Sequence, residues 1–280
     1  MSRILITGAS GFIGKSLSQS LAEDHQVICM RRKDPGLNLP WIKGPFDSFE
    51  DLAQVDGYEI DILVHLGAVT GGVTERECIL VNVEGTRCLL RYLINRGCKK
   101  YVLASSIAAV GFQDRKFRPV HLPITDDHPC LDRSGYGISK YFMEEISKYC
   151  YRQSEDIDII NLRLSSVCVD NNIPPLKDIS PLTEWSLGGI TIMNLTDAIR
   201  AFTMSVENPY KPGVRIMNAT GPKAWTSVPV AEILRNWWGD DVDVSYFEQP
   251  GNEYDSVYDV SRIQQEIGFT SLHTPEITSS

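Results

Sequence analysis

Tyr136-Gly137-Ile138-Ser139-Lys140 sets a phenol and an ammonium four residues apart, and on a helix that spacing brings both to one face. A phenol beside a cation can exchange a proton near neutral pH, because the cation stabilises the phenolate. The chain has 11 tyrosines, so the pattern takes its weight from its neighbours. Upstream, the apolar run Lys100–Ser105 leads into Ser106, whose hydroxyl can meet the tyrosine and donate to an oxygen gaining negative charge. A second constellation, Thr7-Gly8-Ala9-Ser10-Gly11-Phe12-Ile13-Gly14, follows the apolar Ile4–Ile6 and opens a segment with Leu17 and Leu21 at helical spacing. Gly8, Gly11 and Gly14 let the backbone turn tightly and approach a pyrophosphate, whose charge then meets free N–H groups at the helix start; Phe12 and Ile13 lie in the same turn. The second strand, Gln26–Met30, lacks the acid that grips the ribose hydroxyls of NAD and runs into Arg31-Arg32-Lys33. Guanidinium binds phosphate through two parallel hydrogen bonds, so Arg31 or Arg32 is expected to hold the 2′-phosphate of NADP, with NAD the second choice. The bland alternative is a solvated basic turn.

These residues need a frame, and the first two thirds of the chain supply one by alternating short β-branched runs with longer helical patterns. Strands are expected at Arg3–Thr7, Gln26–Met30, Asp61–Leu66, Lys100–Ser105 and Asp158–Arg163, and helices at Val83–Gly97 and Tyr136–Tyr151. The expected fold is α/β, a Rossmann-type doubly wound parallel sheet. It occupies 1–165, with 190–218 returning to it through Ile190–Met193, the helix Leu195–Glu207 and the strand Val214–Asn218. Residues 166–189 and 219–280 are expected to form a small C-terminal cap over the substrate, its aromatic residues Trp225, Trp237, Trp238, Tyr246 and Phe247 making a second apolar cluster. The long, Pro- and Asp-rich connection Phe112–Gly135 is of a kind that usually carries function.

With the glycine loop, Ser106 and Tyr136/Lys140 in this order, the chain resembles the extended, epimerase/dehydratase-like branch of the short-chain dehydrogenase/reductase superfamily. Val64-His65-Leu66-Gly67-Ala68, Asn82-Val83-Glu84-Gly85-Thr86, Leu162-Arg163, Asn194-Leu195-Thr196-Asp197 and Tyr258-Asp259-Val260-Ser261 extend the likeness over nearly the whole length. The resemblance implies that Tyr136 is the general acid/base for hydride transfer at the nicotinamide, that Lys140 holds the nicotinamide ribose, and that Ser106 stabilises the substrate oxygen. It further implies cofactor contacts from Leu66, Gly67, Ala68 and Asn82, and substrate contacts from Thr70, Ser106, Ile107, Ser165 and Ser166. A phenol ordinarily loses its proton near pH ~10, so Lys140 and an oxidised nicotinamide are expected to lower that value. His65, inside an apolar strand, reads as a packed structural residue.

The departures narrow the reaction. Sugar-nucleotide 4,6-dehydratases place an acid pair where this chain has Ile107 and Ala108, which cannot transfer protons. The arginine that binds a sugar nucleotide's diphosphate aligns with Ile190, and Cys168-Val169-Asp170 replaces the usual Tyr-Gly-Pro. The compact length, Leu66-Gly67-Ala68-Val69-Thr70 and Arg163-Leu164-Ser165-Ser166 resemble uronate dehydrogenases, with Lys177 a candidate for the carboxylate. The reading is an NADP-preferring enzyme interconverting an alcohol and a carbonyl on a sugar, sugar acid or small polyol. Its alternatives are a nucleotide-sugar epimerase or 4-ketoreductase, and a catalytically silent NADP-binding regulator.

Composition sets the bounds. At 280 residues, 42% hydrophobic and net charge −9, the chain can bury a core but repels a phosphate backbone, so neither nucleic acid nor a membrane surface is an expected partner. No apolar run reaches membrane-spanning length, and the start does not read as a secretory signal. Seven scattered cysteines without a C-x-x-C argue against a disulfide framework or a metal site, and point to the cytoplasm. A homodimer through the helices at 83–97 and 136–151 is expected.

Overall fold

The computed structural model describes residues 1–31, 36–111, 116–179 and 187–275. Seven strands form one wholly parallel sheet: β1 (Arg3–Thr7), β2 (Gln26–Arg31), β3 (Trp41–Lys43), β4 (Ile62–His65), β5 (Lys100–Ser106), β6 (Asp158–Leu164) and β9 (Gly213–Ala219), in the order β3-β2-β1-β4-β5-β6-β9. A separate parallel pair joins β7 (Ser166–Cys168) to β8 (Ile192–Asn194). The helices are α1 (Phe12–Leu21), α2 (Phe49–Leu52), α3 (Glu75–Cys78), α4 (Thr86–Ile94), α5 (Gly135–Gln153), α6 (Leu195–Glu207), α7 (Val230–Trp238) and α8 (Ser261–Ile267).

The strands are apolar on both faces because both faces are covered. Along β1, Ile4 and Ile6 point into one cluster with Leu17, Leu21, Phe202 and Ile267, which belong to α1, α6 and α8. Leu5, between them, points the other way, into a cluster with Leu89, Leu93 and Met143 of α4 and α5. That is the period-two alternation of a strand inside a three-layer α/β sandwich. A third cluster lies apart from the sheet: Ile107, Ala108, Phe117 and Ile124 pack with Val230, Ile233, Leu234, Trp237, Phe247 and Tyr258, and Tyr136 leans on it half-buried. Of the aromatic tail, Trp237 and Phe247 are core, Trp238 and Tyr246 pack partly buried against it, and Trp225 lies outside this cluster; the cluster abuts the residue expected to do chemistry.

The helix expected from Val83 begins eight residues earlier. Between α3 and α4 the chain stays helical but is wound as a π-helix over Ile79–Gly85. Hydrogen bonding from i to i+5 shifts the phase of the buried face, and that face carries Asn82, Gly85 and Thr86 instead of aliphatic residues, so apolar periodicity does not reveal it.

Candidate active site

Sheet order reverses direction at β1, flanked by β2 and β4, and the crevice at the carboxyl ends of these strands is where such sheets bind ligands. A cavity of about 330 Å³ opens there, and Gly8, Gly11, Arg31, Leu66, Gly67 and Ala68 all line it. Its floor is built by glycine. Gly8 has φ +70°, and a Cβ on it would lie 2.8 Å from Gly67 N; a Cβ on Gly14 would lie 2.2 Å from Gly8 O. Gly11, at the cavity edge, caps α1 without any side-chain hydrogen bond, so no cap side chain occupies the start of the helix. A backbone cradle that any Cβ would fill, at a helix N-terminus, fits a dinucleotide pyrophosphate. Phe12 stands half exposed and Ile13 partly buried in the first turn of α1.

At the far wall Arg31 ends β2, buried, with its guanidinium carbon 5.3 Å from the centre of the Trp41 ring on β3. Arg32 lies outside the described residues. Asp47, on the same wall, was not singled out in the sequence, because nothing in its spacing marks it.

The turn after β4 is shaped by Asn82. Its Oδ1 accepts from Val69 N at 2.8 Å, and its Nδ2 donates to Val69 O and to Ser139 Oγ, both at 2.9 Å. With its amide engaged in this way, Asn82 ties the Leu66–Thr70 turn to α5. His65 sits beneath. Thr86 Oγ1 donates to Asn82 O at 2.6 Å and so must accept from His65 Nε2 at 3.0 Å, which leaves His65 Nδ1 to accept from Thr7 Oγ1 at 2.6 Å. Burial, with Lys140 nearby, pushes His65 down to about 3, so the ring is neutral and structural.

Ser106, Tyr136 and Lys140 converge at the end of β5. Ser106 closes the strand, its Oγ accepting from Ala108 N at 3.1 Å, and it stands close enough to the Tyr136 phenol to favour the ionised form. Ser134 caps α5 by accepting from Gly137 N at 3.0 Å, so Tyr136 and Lys140 occupy its first two turns. Lys140 Nζ lies 5.8 Å from the Tyr136 ring centre and donates to Ala104 O at 2.7 Å. Burial pulls its ammonium down to about 8, with Glu144 pushing the other way. In the chain alone, burial raises the Tyr136 phenol above its ordinary value, Ser106 works against that rise, and Cys78 adds to it. Desolvation of the charged form is the largest of these influences.

The expected substrate residues divide. Thr70 is exposed at the end of the 66–70 turn, Ser166 is exposed, and Ser165 is buried one residue beyond Leu164, the β6 partner of Ser106. Ile107 turns its side chain into the third apolar cluster and is fully buried, away from any substrate. Lys177 pairs its backbone with Trp225 and Ser227. Beneath the site lies a group the sequence did not mark as functional: Glu144 accepts from Ser105 Oγ and from Arg163, all buried. A glutamate one turn past Lys140, on the helix face that packs inward, was the available signal.

A larger cavity, about 580 Å³, opens at the opposite, amino-terminal edge of the strands. Its charges are matched among themselves, Arg3 with Glu59 and Asp61, and Arg96 with Asp56, and none of the residues above reaches it.

A family model, the NAD dependent epimerase/dehydratase family, matches residues 4–177, a span that holds the glycine cradle, Ser106, Tyr136 and Lys140. The chain belongs to that family. Its curated relatives include UDP-glucose 4-epimerase 4 of Oryza sativa subsp. japonica, 29% identical over 57% of this chain and 48% of that protein. Another is a uronate dehydrogenase of Pseudomonas putida, 26% identical over 65% of this chain and 66% of that protein. The chain thus spans about half the length of that epimerase. Among solved structures, the Bordetella bronchiseptica enzyme WbmG in complex with NAD superposes with a TM-score of 0.70 at 21% identity, covering 98% of this chain and 90% of that one. The doubly wound fold is that of the extended short-chain dehydrogenase/reductases. Among the described residues no helix is long and apolar enough to cross a membrane.

Proposed function

We propose that this family member is an NADP-preferring oxidoreductase that interconverts an alcohol and a carbonyl on a sugar, sugar acid or comparable small polyol. The observation that carries the reading is the Ser106–Tyr136–Lys140 convergence at the carboxyl edge of the sheet, beside a glycine cradle whose far wall is Arg31. Bound in the cradle, the dinucleotide supplies or accepts a hydride. Tyr136 gives a proton to, or takes one from, the substrate oxygen; Ser106 holds that oxygen by a hydrogen bond; and Lys140, buried beside them, offers its ammonium to the ribose. Gly8, Gly11 and Gly14 admit the pyrophosphate, and Arg31, fixed against Trp41, is the group for a 2′-phosphate. Ile107 and Ala108 bring no proton to a dehydration. Thr70, Ser165 and Ser166 are proposed to meet the substrate, which the cap of 166–189 and 219–280 covers.

The reading also holds that the enzyme works in the cytoplasm and as a homodimer. Leu80, Phe142 and Tyr149 are large, exposed and carried by the helical runs at 75–94 and α5. A solution mass equal to the 31.4 kDa chain would remove the dimer.

The deciding experiment measures dissociation constants for NADP and NAD side by side, on protein first assayed for copurified dinucleotide. Tight NADP, weak NAD and nothing copurified are expected, and Arg31→Ala should cost about tenfold in NADP affinity while sparing NAD. Because relatives are named UDP-glucose 4-epimerases, the second reading is a nucleotide-sugar epimerase or 4-ketoreductase. Copurified NAD(H) and turnover without added cofactor would favour it and sink the first.

A further inference from the structure

Lys140 and Glu144 stand one helical turn apart on α5, both buried. Lys140 Nζ donates to Ala104 O at 2.7 Å, and on the next turn Glu144 Oε1 accepts from Ser105 Oγ at 2.6 Å. Successive turns of the helix therefore grip successive residues of β5, and the next residue of that strand is Ser106. Arg163, from the neighbouring β6, completes the lock: its Nε and Nη2 donate to the two oxygens of Glu144 at 2.9 Å each, and its Nη1 donates to Asp126 O at 2.8 Å. A carboxylate held by two parallel guanidinium bonds and a hydroxyl is confined to one geometry. That geometry fixes the helix register that sets Lys140 against Ala104 and the Tyr136 ring beside it, at the end of the strand that carries Ser106.

The same carboxylate is the counter-charge of the site. From β4, Lys140 faces His65, which is neutral; from its own helix it faces Tyr136, whose ring is 5.8 Å away, and Glu144. Glu144 faces Ser105 on β5, Arg163 on β6 and Cys130 in the 117–134 connection. Tyr136 faces Ser106 and Cys78. Among these described groups Glu144 is the anion acting on Lys140.

We propose that Glu144 is a positioning residue of the catalytic centre: through Ser105 and Arg163 it sets the register of α5 on β5, and it supplies the negative charge that keeps Lys140 an ammonium. This rests on the reading of Tyr136 and Lys140 as the working pair. Neither role requires Glu144 to touch substrate or cofactor.

Two substitutions in the full chain separate charge from shape. Glu144→Gln keeps the length and an acceptor oxygen but loses the charge; Glu144→Asp keeps the charge and loosens the grip on Ser105. The readout is the pH titration of the Lys140 Cε carbon by 13C NMR, assigned through Lys140→Arg, which needs no cofactor. Glu144→Gln should lower the Lys140 midpoint by about one unit or more, and Glu144→Asp should leave it in place. NADPH, as probe, should bind Glu144→Gln with nearly native affinity at pH about 6.5 and lose affinity near pH 8, where the native chain still binds. Should the lone Arg163 cation unfold Glu144→Gln, the pair Glu144→Gln/Arg163→Gln removes it, and the midpoint should still fall below the native one. A folded Gln variant with the native midpoint overturns the proposal. Failure of the native chain to bind NADPH or NADH would instead overturn the cofactor reading, and the NMR titration would judge the charge role of Glu144 separately.

Discussion

In the proposed chemistry Tyr136 moves a proton and Ser106 holds an oxygen, and the two side chains meet only because α5 packs on the end of β5. Tyr136→Phe keeps the ring that packs on the third apolar cluster and removes the hydroxyl, so cofactor affinity should be unchanged while turnover falls by about 10²- to 10⁴-fold, the usual worth of a positioned acid/base. Turnover on a screen of sugars and sugar acids, read beside a fluorescence titration of NADPH, checks this; a variant that still turns over removes the mechanism. The glycine cradle, Ser106, Tyr136 and Lys140 were legible in the sequence because each is a residue type with few other reasons to recur in that order. Glu144 and Asn82 show where legibility ends. Glu144 lies on the inward face of α5, but its partners come from two strands, Ser105 from β5 and Arg163 from β6, which local spacing does not bring together. Asn82, expected against the cofactor, turns out to hold the Val69 backbone from both sides, a partner 13 residues away that no local spacing reveals.

At the scale of elements, α5 is placed by close approach at its first turn. A Cβ on Gly137 would lie 2.1 Å from Asp132 Cγ and 2.5 Å from Ala108 O, so the helix start, the loop before it and the turn after β5 meet with no room for a side chain. Asp132 Oδ1 accepts from Ser134 N at 2.6 Å, and Ser134 is the cap of the same helix, so Asp132 cannot swing away without uncapping it. Gly137→Ala should therefore push the first turn of α5 outward, destabilise the chain by about 1–3 kcal/mol and cost turnover through the Tyr136–Ser106 contact. Thermal melts and turnover test both halves; an alanine variant with native stability and activity would show that the loop yields. The long strands were read to within a residue or so, because continuous aliphatic runs bounded by turns have few alternatives. Trp41–Lys43 and Ser166–Cys168 were missed, three residues each, since such short strands owe their existence to the partners they pair with. The π-wound stretch hid for a different reason, its buried face being polar and small.

Over the whole molecule, a buried acid, Asp197, and a partly buried one, Asp126, fasten the C-terminal segment and a loop to the sheet, and they respond to pH with opposite signs. Asp197, at the start of α6, is pushed up by burial but held at about 2 by hydrogen bonds from Leu272 N, Ser271 and His273. Its folded value lies below the ordinary ~3.9, so its contribution is present at neutral pH and is lost as pH falls through about 2. Asp126 is the reverse. Burial raises it to about 6 against the pull of Asn218 N–H, Arg163 and Arg262, so its contribution is complete below the ordinary ~3.9 and is lost as pH rises through about 6. At neutral pH the chain therefore carries the cost of an ionised, half-desolvated Asp126 in the loop that Arg163 clamps beside the active site. Asp126→Asn keeps an oxygen for Asn218 N, which now donates to Oδ1 at 2.6 Å, and removes the charge. Stability at pH 7.5 should rise by about 1–2 kcal/mol, or ~2–4 °C in melting temperature, and should not rise at pH 4, where the native aspartate is already largely protonated. Melts of both proteins at the two pH values decide it. An equal gain at both would locate the benefit in packing, and a loss at pH 7.5 would mean that Arg163 and Arg262 draw more from the carboxylate than its burial costs.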